Sequence, residues 1–240
     1  MILTIIGFNL IAILISYLIG SINSSIIYSE IFLKKNVRSV GSGNAGATNI
    51  SRMAGFGTGA LIWFFDWFKV VVAILIFYFI REANLFGFKY VLIQLTGLAA
   101  VCGHIWPIFF KFKGGKGVSS MFGMLLAFNW IIGLIIVGLF WICIYLFDKV
   151  SVSSIITLIV GGSLTFVPWF IYNFNYMMLI ECKELKITND WLMGVVSIVT
   201  IGIITFKHLN NIKKIISKEE SSFREGTLKR KAGCKLFKRK

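Results

Sequence analysis

Acidic residues are scarce in this chain, with 10 Asp and Glu against 25 Lys and Arg. Glycosidases and two-metal enzymes need clustered carboxylates, and the polar set assembled below contains no such pair, so both chemistries are set aside. Cys102, Cys143, Cys182 and Cys234 stand singly, without CxxC or metal-ligand spacing, which argues against disulfides and zinc. Neither a metal nor a cofactor is expected. Charge is thin altogether, at 15% of residues, while 57% are hydrophobic. Those proportions belong to integral membrane proteins and leave little room for a separate soluble domain. The first segment, Ile2 to Ile19, has neither a basic leader nor a small-residue cleavage site, so it reads as a retained helix and not a signal peptide. The alternation of a membrane β-barrel is missing, so no strands are expected. We find no convincing internal repeat.

What the chain does have is a series of apolar runs separated by short polar loops. We read an all-α polytopic membrane protein of about seven transmembrane helices. Ile2 to Leu33 is expected as one long helix weakened at Gly20 to Ser25, and Met53 to Ile80 as a return broken only by Gly55, Gly57, Gly59 and the pair Asp66 and Lys69. Tyr90 to Phe110 follows a short outer loop at Arg81 to Lys89. Val118 to Phe147 divides into two shorter helices at Asn129, and Ile155 to Ile180 and Trp191 to Phe206 complete the set, with an outer loop from Glu181 to Asp190. Lys34, Lys35 and Arg38 mark the first inner loop, which by the positive-inside rule puts the N-terminus outside and the C-terminus in the cytoplasm. From Lys207 to Lys240 twelve basic residues stand against three glutamates, a net of +9. Residues 215–240 are therefore read as a basic cytoplasmic tail lying on anionic lipid head groups, after a membrane domain of 1–214. Nucleic acid is not expected as a partner, because no motif or aromatic pattern accompanies that charge.

Two polar, glycine-rich stretches interrupt the apolar runs. The first, Arg38 to Arg52, reads RSVGSGNAGATNISR. Gly41, Gly43 and Gly46 free the backbone to turn its N–H groups toward one point, the usual shape of an anion cradle. Ser42, Asn44, Thr48 and Asn49 add hydroxyls and amides, and Arg38 and Arg52 add guanidinium forks suited to phosphate. The same glycines spell GxGxxG, with Asp66 downstream, but a dinucleotide fold needs a strand before that motif and the flanks here are long apolar helical runs. The second stretch, KFKGGKG at Lys111 to Gly117, leads into a helix N-terminus at Val118 to Ser120. It lacks the GxxxxGK spacing of a P-loop, so an ATPase is not indicated.

Asp66 and Lys69 share a helix face. They form either a structural ion pair or a charge that Asp66 orients toward the site. If the chain bends at Asn129, Ser151 and Ser154 return to the surface that carries both loops, and the last helix delivers His208 and Asn211 there. His104, beside Trp106 and Pro107, braces the second loop. The collected set is rich in cations and hydrogen-bond donors and fits a site for two phosphate-bearing molecules. A small-anion or phosphate-ester transporter is the rival reading, since intramembrane cations and glycine breaks also build permeation paths.

GSGNAGATN at Gly41 to Asn49, GHIWPIFFKFKGGKG at Gly103 to Gly117, SVSSI at Ser151 to Ile155 and KHLNNI at Lys207 to Ile212 resemble the motifs of the bacterial acyl-phosphate:glycerol-3-phosphate acyltransferases. These are small polytopic enzymes of phospholipid synthesis, and the likeness runs from Gly20 to about Lys214. The resemblance implies that acyl phosphate and glycerol-3-phosphate are the partners, and that the sn-1 hydroxyl attacks without a covalent acyl-enzyme. Lysophosphatidic acid and phosphate are then the products, made at the cytoplasmic face of a bacterial cell membrane. It further implies phosphate and glycerol contacts from Ser42, Asn44, Arg52, Lys116 and Ser154, with His208 and Asn211 closing the site. We assign Ser42, Arg52, Lys116, His208 and Asn211 to catalysis. To substrate binding we assign Gly41, Gly43, Asn44, Thr48, Asn49, Lys69, His104, Lys113, Gly114, Gly115, Gly117 and Ser154. His208 is read as a hydrogen-bonding group and not a general base. Asn23, Val70 and Lys207 depart from the family's usual proline, glycine and arginine. The HxxxxD motif of acyltransferases that use acyl-CoA or a carrier protein is absent, so acyl-CoA is not expected to serve as donor.

Overall fold

The computed structural model describes residues 2–167 and 190–224. They form nine α-helices: α1 (Ile2–Gly20), α2 (Ser24–Ile31), α3 (Ala47–Ala54), α4 (Phe56–Glu82), α5 (Ile93–Ile105), α6 (Val118–Phe128), α7 (Trp130–Phe147), α8 (Val150–Leu164) and α9 (Asp190–Ile216). Among the described residues there is no strand. Five segments are long and apolar enough to cross a membrane: Ile2–Ile31, Phe56–Glu82, Ile93–Phe110, Trp130–Phe147 and Leu192–Ile216. Helices α6 and α8 are apolar but have 11 and 15 residues. At 1.5 Å per residue they span roughly 16 and 22 Å, short of the ~30 Å hydrocarbon core. Large apolar side chains such as Leu3 (84% exposed) and Leu134 (59%) lie on the outside of the bundle. In a polytopic membrane protein that surface faces lipid.

Several boundaries differ from the sequence expectation, each for a local reason. The Ile2 to Leu33 run is two helices, because Asn23 Oδ1 accepts from Ile26 N–H at 3.0 Å and caps a new start. The Met53 to Ile80 run is divided by Gly55, whose φ of 93° ends α3 and turns the chain into α4. Helix α5 begins at Ile93, after a 3-10 turn at Leu85–Tyr90, and stops at Ile105, ahead of Pro107. Asn129 does split the next run: its Oδ1 accepts from the N–H groups of Ile131 and Ile132 at 3.1 and 3.0 Å. Helix α8 starts at Val150, five residues ahead of Ile155, so Ser151 and Ser154 sit in its first turns. The rest of the expected crossing to Ile180, and most of the loop to Asp190, lie outside the described residues. Helix α9 runs on to Ile216, well past Phe206, so His208 and Asn211 ride on the helix and not beyond its end.

The core lies where α4, α5 and α6 meet, around Val70, Ile74, Phe77, Ala100, Ile105, Met121 and Leu125, all buried. Helices α1 and α5 cross with their backbones in contact, since a Cβ on Gly103 would collide with the Tyr17 carbonyl. Small residues permit that approach in membrane bundles. It brings the α1–α2 break, the end of α5 and both glycine-rich loops to one end of the bundle.

Candidate active site

The first loop is shaped from within. Asn36 Oδ1 accepts from Arg38 N–H and Nε at 2.9 and 3.1 Å, and Arg38 Nη1 donates to the Phe110 carbonyl at 3.1 Å. Arg38, expected as a phosphate fork, is instead a strut that ties the first loop to the second. Gly41 and Gly43 turn the chain at φ 62° and 70°. Asn49 fills the resulting hollow: its Nδ2 donates to the carbonyls of Val37 and Val40, both at 2.8 Å, and its Oδ1 accepts from Ser42 N–H at 3.2 Å. With both amide hydrogens engaged and only 1% exposure, Asn49 holds the loop. Residues 47–54 are helix and not cradle, so Thr48 and Arg52 project from α3.

The second loop doubles back on the end of α5. Gly114 N–H donates to the Ile105 carbonyl at 3.2 Å and Gly115 N–H to the His104 carbonyl at 3.1 Å. A Cβ on Gly115 would collide with His104 Nε2. Gly114 and Gly115 are therefore spacers pressed against α5, while Lys116 reaches the cavity. Burial, opposed by the Glu220 carboxylate and reinforced by Arg52 and Lys214, brings the Lys116 ammonium down to about 8.

Helices α8 and α9 form the far wall. Asn211 Nδ2 donates to Ser151 Oγ at 2.6 Å. Ser154 Oγ donates to the Val150 carbonyl at 2.7 Å, so it offers a ligand only lone pairs and does not act as a phosphate donor in this arrangement. His208 lies 2.9 Å from the Ile204 carbonyl through Nδ1. A carbonyl only accepts, so Nδ1 carries the hydrogen and Nε2 of the neutral ring is an acceptor.

Beyond α9 the chain turns back across the mouth. Glu220 Oε1 accepts from Ser151 N–H at 3.2 Å, and Ser221 Oγ accepts from Arg52 Nη2 at 2.7 Å. Lys149 Nζ donates to the Glu220 carbonyl and Ser222 Oγ to the Asp148 carboxylate. Phe223 sets its ring edge-on against Phe56 and Trp141 at 6.3 and 6.4 Å between centroids.

These pieces enclose a pocket of about 110 Å³. A single water needs on the order of 10–15 Å³, so a small phosphate ester has room. Of the residues assigned from the sequence, Ser42, Asn44, Thr48, Asn49, Arg52, His104, Lys116, Gly117, Ser154, His208 and Asn211 line it. Gly41, Gly43, Lys69, Lys113, Gly114 and Gly115 do not. Lys69 is turned into the bundle, with Asp66 Oδ1 at 3.5 Å and the Ile22 carbonyl at 2.6 Å, so the ion pair forms and its charge stays out of the pocket. The sequence reading missed Trp63 and Phe140, which supply an apolar wall, and Glu220. Nothing in a run of aromatic residues, or in one of a pair of tail glutamates, distinguishes those positions beforehand. The starts of α3 and α6 also open here, at Ala47 and Val118, adding the positive ends of two helix dipoles to Arg52 and Lys116.

The chain as a whole has relatives among known proteins. The family model for glycerol-3-phosphate acyltransferase matches residues 10–218. The chain belongs to the glycerol-3-phosphate acyltransferase family. A glycerol-3-phosphate acyltransferase of Mycoplasma mobile is 39% identical over 225 residues, covering 90% of this chain and 92% of the relative. One from Francisella tularensis subsp. tularensis is 36% identical over 213 residues, covering 89% and 92%. Crystal structures of PlsY (YgiH), an integral membrane glycerol 3-phosphate acyltransferase, superpose in two forms. The glycerol 3-phosphate form gives a TM-score of 0.72 at 30% identity over 89% of this chain and 94% of that one; the lysophosphatidic acid form gives 0.71 at 29%, over 92% and 96%. This acyltransferase is thus a multi-pass membrane enzyme, and the transporter reading is set aside. All its pocket residues lie within the matched span except Glu220.

Proposed function

We propose that this acyltransferase moves a fatty acyl group from an acyl phosphate to the sn-1 hydroxyl of glycerol-3-phosphate, releasing inorganic phosphate and leaving lysophosphatidic acid. The observation that carries this reading is the convergence of Arg52, Lys116 and two helix starts on one small pocket. Two phosphate groups held about 5 Å apart repel by roughly 3 kcal/mol per pair of unit charges at an effective dielectric of 20. Bringing them into attack distance is therefore the main task, and cations with oriented N–H groups accomplish it.

The donor is already activated, so no protein nucleophile is required. The hydroxyl oxygen bonds to the acyl carbon, the bond from that carbon to the phosphate oxygen breaks, and the hydroxyl proton passes to the departing phosphate. His208 Nε2, an acceptor, holds the hydroxyl in line. The acyl chain leaves past Trp63 and Phe140 toward lipid. We read about seven membrane helices, the five long segments together with the shorter α6 and α8, with the N-terminus outside and the pocket at the cytoplasmic face of a bacterial cell membrane, 1–214 being the membrane domain and 215–240 its basic tail. That PlsY structures exist in a glycerol 3-phosphate form and a lysophosphatidic acid form supports the acceptor and product proposed here.

The test is direct. Purified protein given acyl phosphate and glycerol-3-phosphate is expected to form lysophosphatidic acid and phosphate in equal amounts, with no turnover when acyl-CoA replaces the donor. Phosphate release that is indifferent to glycerol-3-phosphate would identify a hydrolase instead.

A further inference from the structure

The reaction above gives no task to the buried trio of Asp66, Lys69 and His104, which are at most 9% exposed. Lys69 carries three ammonium hydrogens. One goes to the Ile22 carbonyl at 2.6 Å, one to His104 Nδ1 at 3.1 Å, and the third faces Asp66 Oδ1 at 3.5 Å. Asp66 Oδ1 is 3.6 Å from the same ring nitrogen, beyond hydrogen-bond range, and accepts no hydrogen bond among the described residues. The nearer partner of Nδ1 is thus the ammonium donor, with the carboxylate oxygen farther off. Nδ1 must then offer its lone pair, and the hydrogen of the neutral ring sits on Nε2. Asp66 and Lys69 cancel in charge, so a protonated ring would add an uncompensated buried cation.

The opposite edge of the ring faces the second glycine loop. Nε2 is the atom a Cβ on Gly115 would strike, and His104 lines the pocket. We propose that His104 is a neutral N–H donor to an anionic phosphoryl oxygen of the bound substrate, with Lys69 and Asp66 as positioning residues that fix its tautomer. His208 presents the reverse: its Nδ1 donates to the Ile204 carbonyl, leaving Nε2 to accept. One histidine serves a phosphoryl oxygen and the other a hydroxyl. The ligand class rests on the acyl-transfer reading; the tautomer does not.

The chain has two histidines, so nitrogen-15 histidine labelling of the full-length protein in detergent gives two rings, assigned with His104→Gln. The expected long-range nitrogen–proton pattern is Nε2–H for His104 and Nδ1–H for His208. Inorganic phosphate or glycerol-3-phosphate should move the His104 Nε2–H signal. His104→Ala is expected to lower kcat about 100-fold, the order seen when one oriented donor is removed. His104→Gln, whose amide keeps an N–H near the Nε2 position, should recover about tenfold of that loss. Lys69→Met should mix the His104 tautomers and lower kcat more than it raises KM. If Asp66 left alone prevents folding, Asp66→Asn with Lys69→Met removes both charges and gives the same readout. A His104 ring protonated on Nδ1, an Nε2 signal indifferent to both phosphates, or a folded His104→Gln as inactive as His104→Ala would each overturn the proposal. Correct tautomers and a phosphate-dependent shift in a protein that transfers no acyl group would instead reject the reaction and leave this inference standing.

Discussion

Ser221 Oγ accepts a 2.7 Å hydrogen bond from Arg52 Nη2, joining residues 169 positions apart. The guanidinium in the last turn of α3 is thereby tied to the chain segment that follows α9, in the same pocket as Lys116. The contact is exposed, and a hydrogen bond of that kind contributes on the order of 1 kcal/mol. Ser221→Ala is accordingly expected to change kcat/KM by no more than about fivefold. Arg52→Ala removes the charge proposed to receive phosphate and should lower kcat/KM by at least about 100-fold with the protein still folded in detergent. Arg52→Lys should recover little, because an ammonium lacks the planar fork. Initial rates with both substrates varied, alongside a thermal melt of each variant, check the set. Near-normal turnover in Arg52→Ala would remove this residue from the site.

Lys116 is expected to give the activity an alkaline limit. Its ammonium, brought to about 8, is charged below that value and neutral above it. A step that needs the cation therefore weakens as pH rises through about 8. The groups facing it are Glu220, which raises its value, Arg52 and Lys214, which lower it, and the His208 ring. Glu220→Gln keeps an acceptor for Ser151 N–H but deletes the stabilising carboxylate. The alkaline limb of kcat/KM should then move to lower pH. A pH profile of the two proteins decides it, and a limb that stays in place or moves upward would contradict the assignment.

The two glycine loops, the split at Asn129 and the arrival of His208 and Asn211 were legible because each rests on local chemistry: glycine turns, an amide cap, charge at loop ends. Arg38 was misread, and Asn49 lines the pocket with its amide hydrogens already committed, for a common reason. A polar residue in a cradle reads as a ligand contact, but backbone carbonyls compete for the same donors, and here Phe110, Val37 and Val40 take them. Ser154 is a similar case, its hydroxyl claimed by the Val150 carbonyl one turn back. Glu220 was invisible because its place depends on a chain reversal after α9 that no periodicity announces. Trp63 and Phe140 were hidden among aromatic residues that mostly face lipid or core.

Gly115 and Gly138 make a controlled pair. A Cβ at Gly115 would meet His104 Nε2 and come within 3.0 Å of the Ala45 carbonyl, whereas a Cβ at Gly138, on α7, meets nothing within 4 Å. Overpacking of that sort costs about 1–3 kcal/mol. Gly115→Ala is expected to push the second loop off the ring and raise KM for glycerol-3-phosphate by about tenfold or more. Gly138→Ala should leave both kinetics and melting temperature close to the parent. Equal behaviour of the two would mean the loop is not tightly seated on α5.

Asn49 tests whether the first cradle is held by its own carbonyls. Its amide donates twice, to Val37 and Val40, and accepts once, from Ser42 N–H. Asn49→Ala removes all three bonds and leaves the buried Val37 carbonyl without a donor, at about 1–3 kcal/mol, while the Val40 carbonyl keeps the N–H of Gly43. Asn49→Asp keeps the shape and the acceptor but turns two attractive contacts into oxygen facing oxygen, with a negative charge beside an anion pocket. The aspartate variant is therefore expected to bind glycerol-3-phosphate more weakly than the alanine variant, although it is the closer isostere. Calorimetric titration of both variants in detergent measures the order. If aspartate binds as well as asparagine, the amide's donors are not what sets the loop, and Ser42, Asn44 and Arg52 are positioned by something else.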